Sequence, residues 1–237
     1  MCGRFVVAKA VGDIVSTFEI DEVVGEMPGI SYNVAPTQKI AMVVDRSFEK
    51  DENGGPVGEL NRELHSARWG LVPRWAKGES EGAPLINGRI ETILEKPSFK
   101  DSVIRRRCVI PASGYYEWQV KPDGTKQPFY INAGEGMFAL AGLYEWWKKP
   151  DGSWLLSTTT LTKDSAPELA HIHDRNPLLL TPDTFEAWLD PHIIGDQDLL
   201  DAISQGSDEV AAEALFAPVS PRVGKVSEND PSLILPL

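Results

Sequence analysis

Cysteine is nearly absent from this 237-residue chain: only Cys2 and Cys108 occur, far apart. Two such residues make no disulfide framework and suit a reducing compartment. Cys108, in the apolar run Cys108-Val109-Ile110, reads as a buried structural thiol. Long hydrophobic runs are also missing. No stretch approaches the roughly 20 apolar residues that span a bilayer, and the start lacks the basic and apolar regions of a leader. The expectation is a cytoplasmic protein with no membrane partner. Positive charge is scarce, with 23 Lys+Arg against 35 Asp+Glu and a net charge of −12. That balance argues against strong nonspecific binding of duplex nucleic acid. The deficit is uneven, however. Residues 13–63 carry 4 basic against 11 acidic groups and residues 181–237 carry 2 against 11, whereas residues 64–180 carry 15 against 13. The centre is compatible with a locally positive cleft or with a solvated mixed-charge face. Walker, Rossmann, nucleophile-elbow and zincin motifs are absent, which removes the usual support for nucleotide hydrolysis, dinucleotide chemistry and serine hydrolysis. His65, His171, His173 and His192 show no metal-ligand spacing with either cysteine, so neither metal nor cofactor is expected.

What is present is a chain with 42% hydrophobic residues, enough for a substantial core. Two Pro-Asp-Gly turns, at 122–124 and 150–152, divide β-rich runs at 107–111, 114–120, 128–132, 137–147 and 154–160. This spacing predicts successive antiparallel hairpins. Short strands are expected at 4–8, 39–44 and 177–180, and a short helix over 12–20. One or two helical turns follow at 163–170. Thr181-Pro182-Asp183 begins a helix reaching Leu189, and two more are read at 195–204, from an Asp196 cap, and 208–215. The stretch 51–56 reads as a turn or loop. No repeat or linker divides the chain, so the expected class is α+β: one domain, 1–237, mainly antiparallel β with peripheral helices.

The candidate chemistry begins at Cys2. Removal of Met1 would leave an α-amine and a thiol on adjacent carbons. An α-amine, with a pKa of about 7.7 to 8.0, is substantially neutral near physiological pH. It forms a Schiff base with an aldehyde, and the sulfur then closes a thiazolidine. Cys2 is also readable simply as a small residue after the initiator. Trp69 and Trp75, near Arg74 and Arg89, suit base stacking and phosphate binding, or a core. Asn87 could cap a turn, and Arg89 could bridge to Glu91. In Gly114-Tyr115-Tyr116-Glu117-Trp118 the carboxyl is either desolvated, and then a general acid near neutral pH, or an outward strand residue. His171 and His173 share a face if their segment is a strand, and one histidine in proton transfer is the better functional idea.

Taken together, several segments resemble the SOS response-associated peptidase (SRAP) family of abasic-site processing proteins. They are Met1-Cys2-Gly3-Arg4-Phe5, Tyr32-Asn33-Val34-Ala35-Pro36-Thr37, Trp69-Gly70-Leu71-Val72-Pro73, Ile86-Asn87-Gly88-Arg89-Ile90-Glu91-Thr92, Cys108-Val109-Ile110-Pro111, the 114–118 run and His173-Asp174-Arg175-Asn176-Pro177. Pro218-Val219-Ser220 and Val223-Gly224-Lys225-Val226 look like the family's C-terminal segment. The resemblance implies a barrel-like fold and a sensor and shield of abasic sites in single-stranded DNA, linked covalently through Cys2 as a thiazolidine. It assigns Cys2, Asn87, Glu117 and His173 to catalysis, and Arg4, Trp75, Arg89 and Arg175 to DNA. AP-lyase activity and removal of Met1, by the protein itself or by an aminopeptidase, come with it. Gly88 stands where alanine is commoner, Asn176 where methionine or arginine is usual, and 45–62 reads as an acidic loop insertion. The rival readings are a cysteine peptidase or N-terminal nucleophile hydrolase, and a noncovalent single-strand binding module using Trp69, Trp75 and the arginines. The sequence names no protein partner.

Overall fold

Two of the expected hairpins form where local turn chemistry dictates them. At each, the Asp side chain accepts the backbone N–H two residues on, Thr125 to Asp123 and Ser153 to Asp151, both at 2.9 Å, and Gly124 and Gly152 take positive φ. The protein is described by a computed structural model covering residues 2–79 and 82–237. Its strands are β1 (Phe5–Val7), β2 (Glu22–Val24), β3 (Ser31–Val34), β4 (Lys39–Lys50), β5 (Pro56–Trp69), β6 (Asn87–Arg89), β7 (Arg107–Ala112), β8 (Gly114–Val120), β9 (Lys126–Asn132), β10 (Phe138–Lys148), β11 (Trp154–Asp164), β12 (Arg175–Pro177) and β13 (Leu215–Pro218). Its helices are α1 (Val11–Thr17), α2 (Lys100–Arg105), α3 (Pro182–Leu189) and α4 (Gln197–Ala212).

The hairpins β8–β9 and β10–β11 lie in different sheets. One sheet runs β13-β9-β8-β1-β3; the other runs β12-β11-β10-β7-β4-β5-β2. A short parallel contact of β11 with β5, at Ser157–Arg68 and Thr158–Trp69, closes β11-β10-β7-β4-β5 into a ring. The fold is therefore α+β and barrel-like. Beyond β5, the same edge of β11 receives β6 in parallel, Thr160 opposite Asn87. The junctions β7–β8 and β9–β10, read as hairpins, are crossovers between the sheets. The main core contains Cys2, Phe5, Trp69, Tyr115, Phe138 and Leu161. Trp69 is buried, stacks edge-on to Phe5 and donates to the Ile86 carbonyl at 3.1 Å, so it is a core residue and not a base-stacking one.

Two expectations change. The acidic stretch 45–62 is the outer half of the β4–β5 ribbon, paired from Asp45–Arg62 to Lys50–Pro56, with a turn at 51–55. Its strand pairing was hidden because its side chains are mostly polar. The two helices read at 195–204 and 208–215 are one, α4, capped by Asp196 and uninterrupted by Gly206. A Cβ at Gly206 would stand 3.2 Å from the Thr181 methyl, so this glycine serves the close approach of α4 to the start of α3 rather than a break. Thr181 caps α3 as expected. Cys108 is fully buried beside Thr158, and burial pushes its thiol up to about 12.

Candidate active site

The segment leading into β1 is fixed by the backbone ladder. Tyr116 donates to the Arg4 carbonyl at 2.9 Å, and Phe5 pairs with Tyr115. Cys2 is thereby carried into the space between the sheets, where it is fully buried. Its carbonyl accepts from Asn87 Nδ2 at 2.8 Å. Asn87 is held in turn by Thr160, whose hydroxyl donates to Asn87 Oδ1. Because Oδ1 is engaged by a hydroxyl that can donate, the amide NH2 must point at Cys2. Thr160, from β11, went unnoticed in the sequence, where it is one of three consecutive threonines in a predicted strand. Only the parallel placement of β6 gives it a role. The Cys2 sulfur makes a long contact, 3.9 Å, to the Arg4 carbonyl. Burial first, and then Glu117, push the thiol well above its usual range.

Glu117 points inward from β8 and is 2% exposed. Burial pushes its carboxyl up to about 7, so both of its protonation states are populated near neutrality. This settles the choice between a desolvated and an outward-facing glutamate. His173 Nε2 lies 3.8 Å from Glu117 Oε2. Its Nδ1 accepts the Arg175 backbone N–H at 3.0 Å, which puts the proton of the neutral ring on Nε2, the nitrogen facing Glu117. Asp174 Oδ1 is 2.8 Å from the same Nδ1, but that side chain is 86% exposed, and the backbone donor is the fixed partner that sets the tautomer. Burial lowers the His173 pKa, favouring this neutral ring. The segment is built of tight turns rather than a strand, so His171 and His173 separate. His171 instead stacks with Phe129 and Phe216, ring centroids 6.4 and 5.3 Å away. Asn176 is buried and secures the segment, accepting from Ala166 N at 2.8 Å and donating to the Pro177 carbonyl at 2.7 Å. Its amide thus suits the position by bonding in both directions. Gly88 is equally local: a Cβ there would come within 2.5 Å of Ile93 Cδ1.

The expected DNA-binding residues divide. Trp75 is 64% exposed, and Arg89 is exposed at the end of β6. Arg4 is half-buried and donates to Asn33 Oδ1 and the Val223 carbonyl, both at 2.9 Å, tying the C-terminal segment to the N-terminal one. These acceptors are neutral, so its charge is not cancelled. Arg175 is buried and committed to protein: it grips Glu91 with both terminal nitrogens, at 2.8 and 2.9 Å, and also pairs with Asp164. The Glu91 bridge read for Arg89 therefore belongs to Arg175. Its compensated charge was invisible in the sequence because Glu91 and Asp164 come from elements that meet only in the fold. Among the described residues, no group of three or more His, Cys, Asp or Glu could hold a metal ion.

A nitrogen and sulfur on one residue, a carboxyl able to give and take a proton at neutral pH, and a neutral imidazole beside it form a centre for carbonyl addition and proton transfer. Comparison with known proteins places the chain in a family. Residues 1–226 match the sequence profile described as SOS response associated peptidase (SRAP). Abasic site processing protein YoqW of Bacillus subtilis is 39% identical over 236 residues, 99% of each chain. Abasic site processing protein YoaM of the same organism is 41% identical over 194 residues, 81% of this chain and 80% of that one. A crystal structure of a protein from Bacteroides thetaiotaomicron has the same fold over the whole of both chains, with a TM-score of 0.79 at 20% identity.

Proposed function

Since the chain belongs to the SOS response-associated peptidase family, we propose that it senses and shields abasic sites in single-stranded DNA by forming a covalent thiazolidine through Cys2 once Met1 is removed. The observation that carries this reading is the Asn87 clamp on the Cys2 carbonyl at 2.8 Å. It fixes a backbone atom of Cys2 that takes no part in the chemistry and leaves the nitrogen and sulfur free to react, with the sulfur near enough to Glu117 to feel its charge.

An abasic deoxyribose is mostly a closed hemiacetal. Glu117 in its acid form gives a proton to the ring oxygen O4′ as the C1′–O4′ bond breaks, and its carboxylate takes the proton of the C1′ hydroxyl, leaving the aldehyde. The Cys2 amine adds to C1′, and the resulting carbinol loses water to give the Schiff base. The thiol then adds to the same carbon. Its proton passes through Glu117 to the nitrogen, which becomes the ring N–H. His173, with its proton on Nε2, donates toward the carboxylate form of Glu117 and steadies it between these transfers. Arg4 and Arg89 attract the flanking phosphates, and Trp75 stacks on a neighbouring base. Arg175 belongs to the same phosphate-binding side and acts largely through the Glu91 and Asp164 pairs that brace the His173 segment. The Schiff base also acidifies the C2′ proton, so β-elimination, an AP-lyase reaction, is the expected side path. The apolar setting of the thiol favours its neutral form, which weighs against the cysteine-peptidase reading beyond release of Met1.

The test is a denaturing gel of trimmed protein with single-stranded oligonucleotide carrying one abasic site. A retained adduct is expected, lost in Cys2→Ala and in protein keeping Met1. Peptide hydrolysis without any adduct would refute the reading.

A further inference from the structure

Tyr115 and Tyr116 are adjacent on β8, and the sheet treats their hydroxyls differently. Tyr116 faces the second, smaller core and donates to the Tyr32 carbonyl at 2.8 Å. Tyr115 faces the opposite way, with Glu117 two residues on, into the core that also holds Cys2. It is fully buried, yet its hydroxyl has no hydrogen-bond partner among the described residues. The ring is accounted for by packing, with Phe138 at 6.1 Å between centroids, and phenylalanine would pack as well. A buried hydroxyl without a partner is unfavourable, so the oxygen awaits an explanation that packing does not supply. Burial, and then its neighbours Cys2 and Glu117, hold the phenol far above its ordinary range. It is therefore a neutral donor throughout the pH range of interest. The Cys2 sulfur, buried in the same core, makes a 3.9 Å contact to the Arg4 carbonyl, which is given up when sulfur bonds to carbon.

We propose that the Tyr115 hydroxyl donates a hydrogen bond to the Cys2 sulfur as negative charge develops on it during thiazolidine closure, and so controls how fast the Schiff base is converted to the closed ring. The inference rests on the crosslinking function proposed above. In this step the S–C1′ bond forms, the C=N pair moves to nitrogen, and the thiol proton leaves to Glu117 and from there to nitrogen. Tyr115 keeps its own proton. It therefore acts on the second bond to C1′ and not on the first, and it limits the time during which the Schiff base is exposed to β-elimination.

The variant is Tyr115→Phe, which removes one oxygen and keeps the ring. Trimmed wild-type and variant proteins are mixed with abasic single-stranded oligonucleotide. Samples are quenched over time with and without borohydride, to read the Schiff base and the closed ring separately. Loss of a hydrogen bond to a charged group is expected to slow closure by about tenfold or more. Schiff-base formation should stay within about twofold, the borohydride-dependent fraction should rise, and more strand cleavage should appear. A merely structural role would slow both steps together, and that outcome overturns the inference, as does closure at the wild-type rate. If wild-type protein forms no adduct, the crosslinking function itself fails. An adduct in wild type with an unchanged Tyr115→Phe time course sinks only the role of Tyr115.

Discussion

Replacing Glu117 with glutamine tests the site through stability and chemistry at once. Burial lifts this carboxyl from 4.5 to about 7. At about 1.36 kcal/mol per pKa unit, ionising it inside the fold costs about 3 kcal/mol relative to the unfolded chain. Between pH 4.5 and about 7 the native state binds more protons at this position than the unfolded state does, so this residue makes stability fall as pH rises through that window. Glutamine imitates the neutral carboxyl and removes the slope. Glu117→Gln should therefore be more stable than wild type at pH 8, by up to about 3 kcal/mol, and nearly equal to it at pH 4. Urea midpoints at the two pH values measure the difference. Crosslinking should respond in the opposite sense. Proton delivery to O4′ needs the acid form of Glu117, and attack needs a neutral amine with a pKa of about 7.7 to 8.0, so the wild-type rate should peak at about pH 7.5. Glutamine cannot transfer protons, and the rate should fall by about 10²- to 10⁴-fold, with loss of the alkaline limb near pH 7. Equal stability differences at pH 4 and pH 8, or a retained alkaline limb, would show that Glu117 is neither desolvated nor the acid.

Thr160→Val keeps the shape of β11 but frees the Asn87 amide to flip, and crosslinking should slow by about tenfold while stability falls by only about 1 kcal/mol for the lost hydrogen bond; an unchanged rate would dismiss the clamp. Arg89→Ala should reduce the dependence of log affinity on log salt by about 0.7, the value for one single-strand phosphate, as read by anisotropy titrations with labelled oligonucleotide. Arg175→Ala should instead cost about 1 kcal/mol of stability, because the Glu91 and Asp164 side chains it leaves unpaired are themselves solvent-exposed, with a smaller effect on the salt slope. If Arg175→Ala moves the slope as much as Arg89→Ala does, Arg175 meets phosphate directly.

Where sequence reading succeeded, the deciding interactions lie within a few residues of one another. The two Pro-Asp-Gly hairpins are closed by Asp side chains bonding two residues ahead, and α3 begins at Thr181, whose side chain accepts from the Thr184 backbone. Such contacts can be read from adjacent letters. Cys2, Asn87, Glu117 and His173 were singled out through ordered motifs as the proposed site, yet their roles were open because Trp69 and Trp75, or Glu117 and an exposed strand glutamate, look alike before burial is known. Burial distinguished them: Trp69 is in the core and Trp75 outside it. The helix α4 was divided in two because glycine inside a helix is read as a break, and the packing against Thr181 that favours Gly206 comes from a distant segment.

By itself the sequence determined the local turns and caps, the β-rich class and the adjacency of an amine and a thiol that the proposed chemistry uses at Cys2, since each depends on covalent structure or on neighbours along the chain. Only the tertiary structure decided that β6 lies beside β11, so that Thr160 orients Asn87 onto the Cys2 carbonyl, and that Arg175 is neutralised by Glu91 and Asp164. It also decided that Glu117 is a carboxyl titrating near neutrality. The physical reason is that protonation and charge compensation depend on desolvation and on partners far away in sequence, and a chain acquires both only when its sheets close around them.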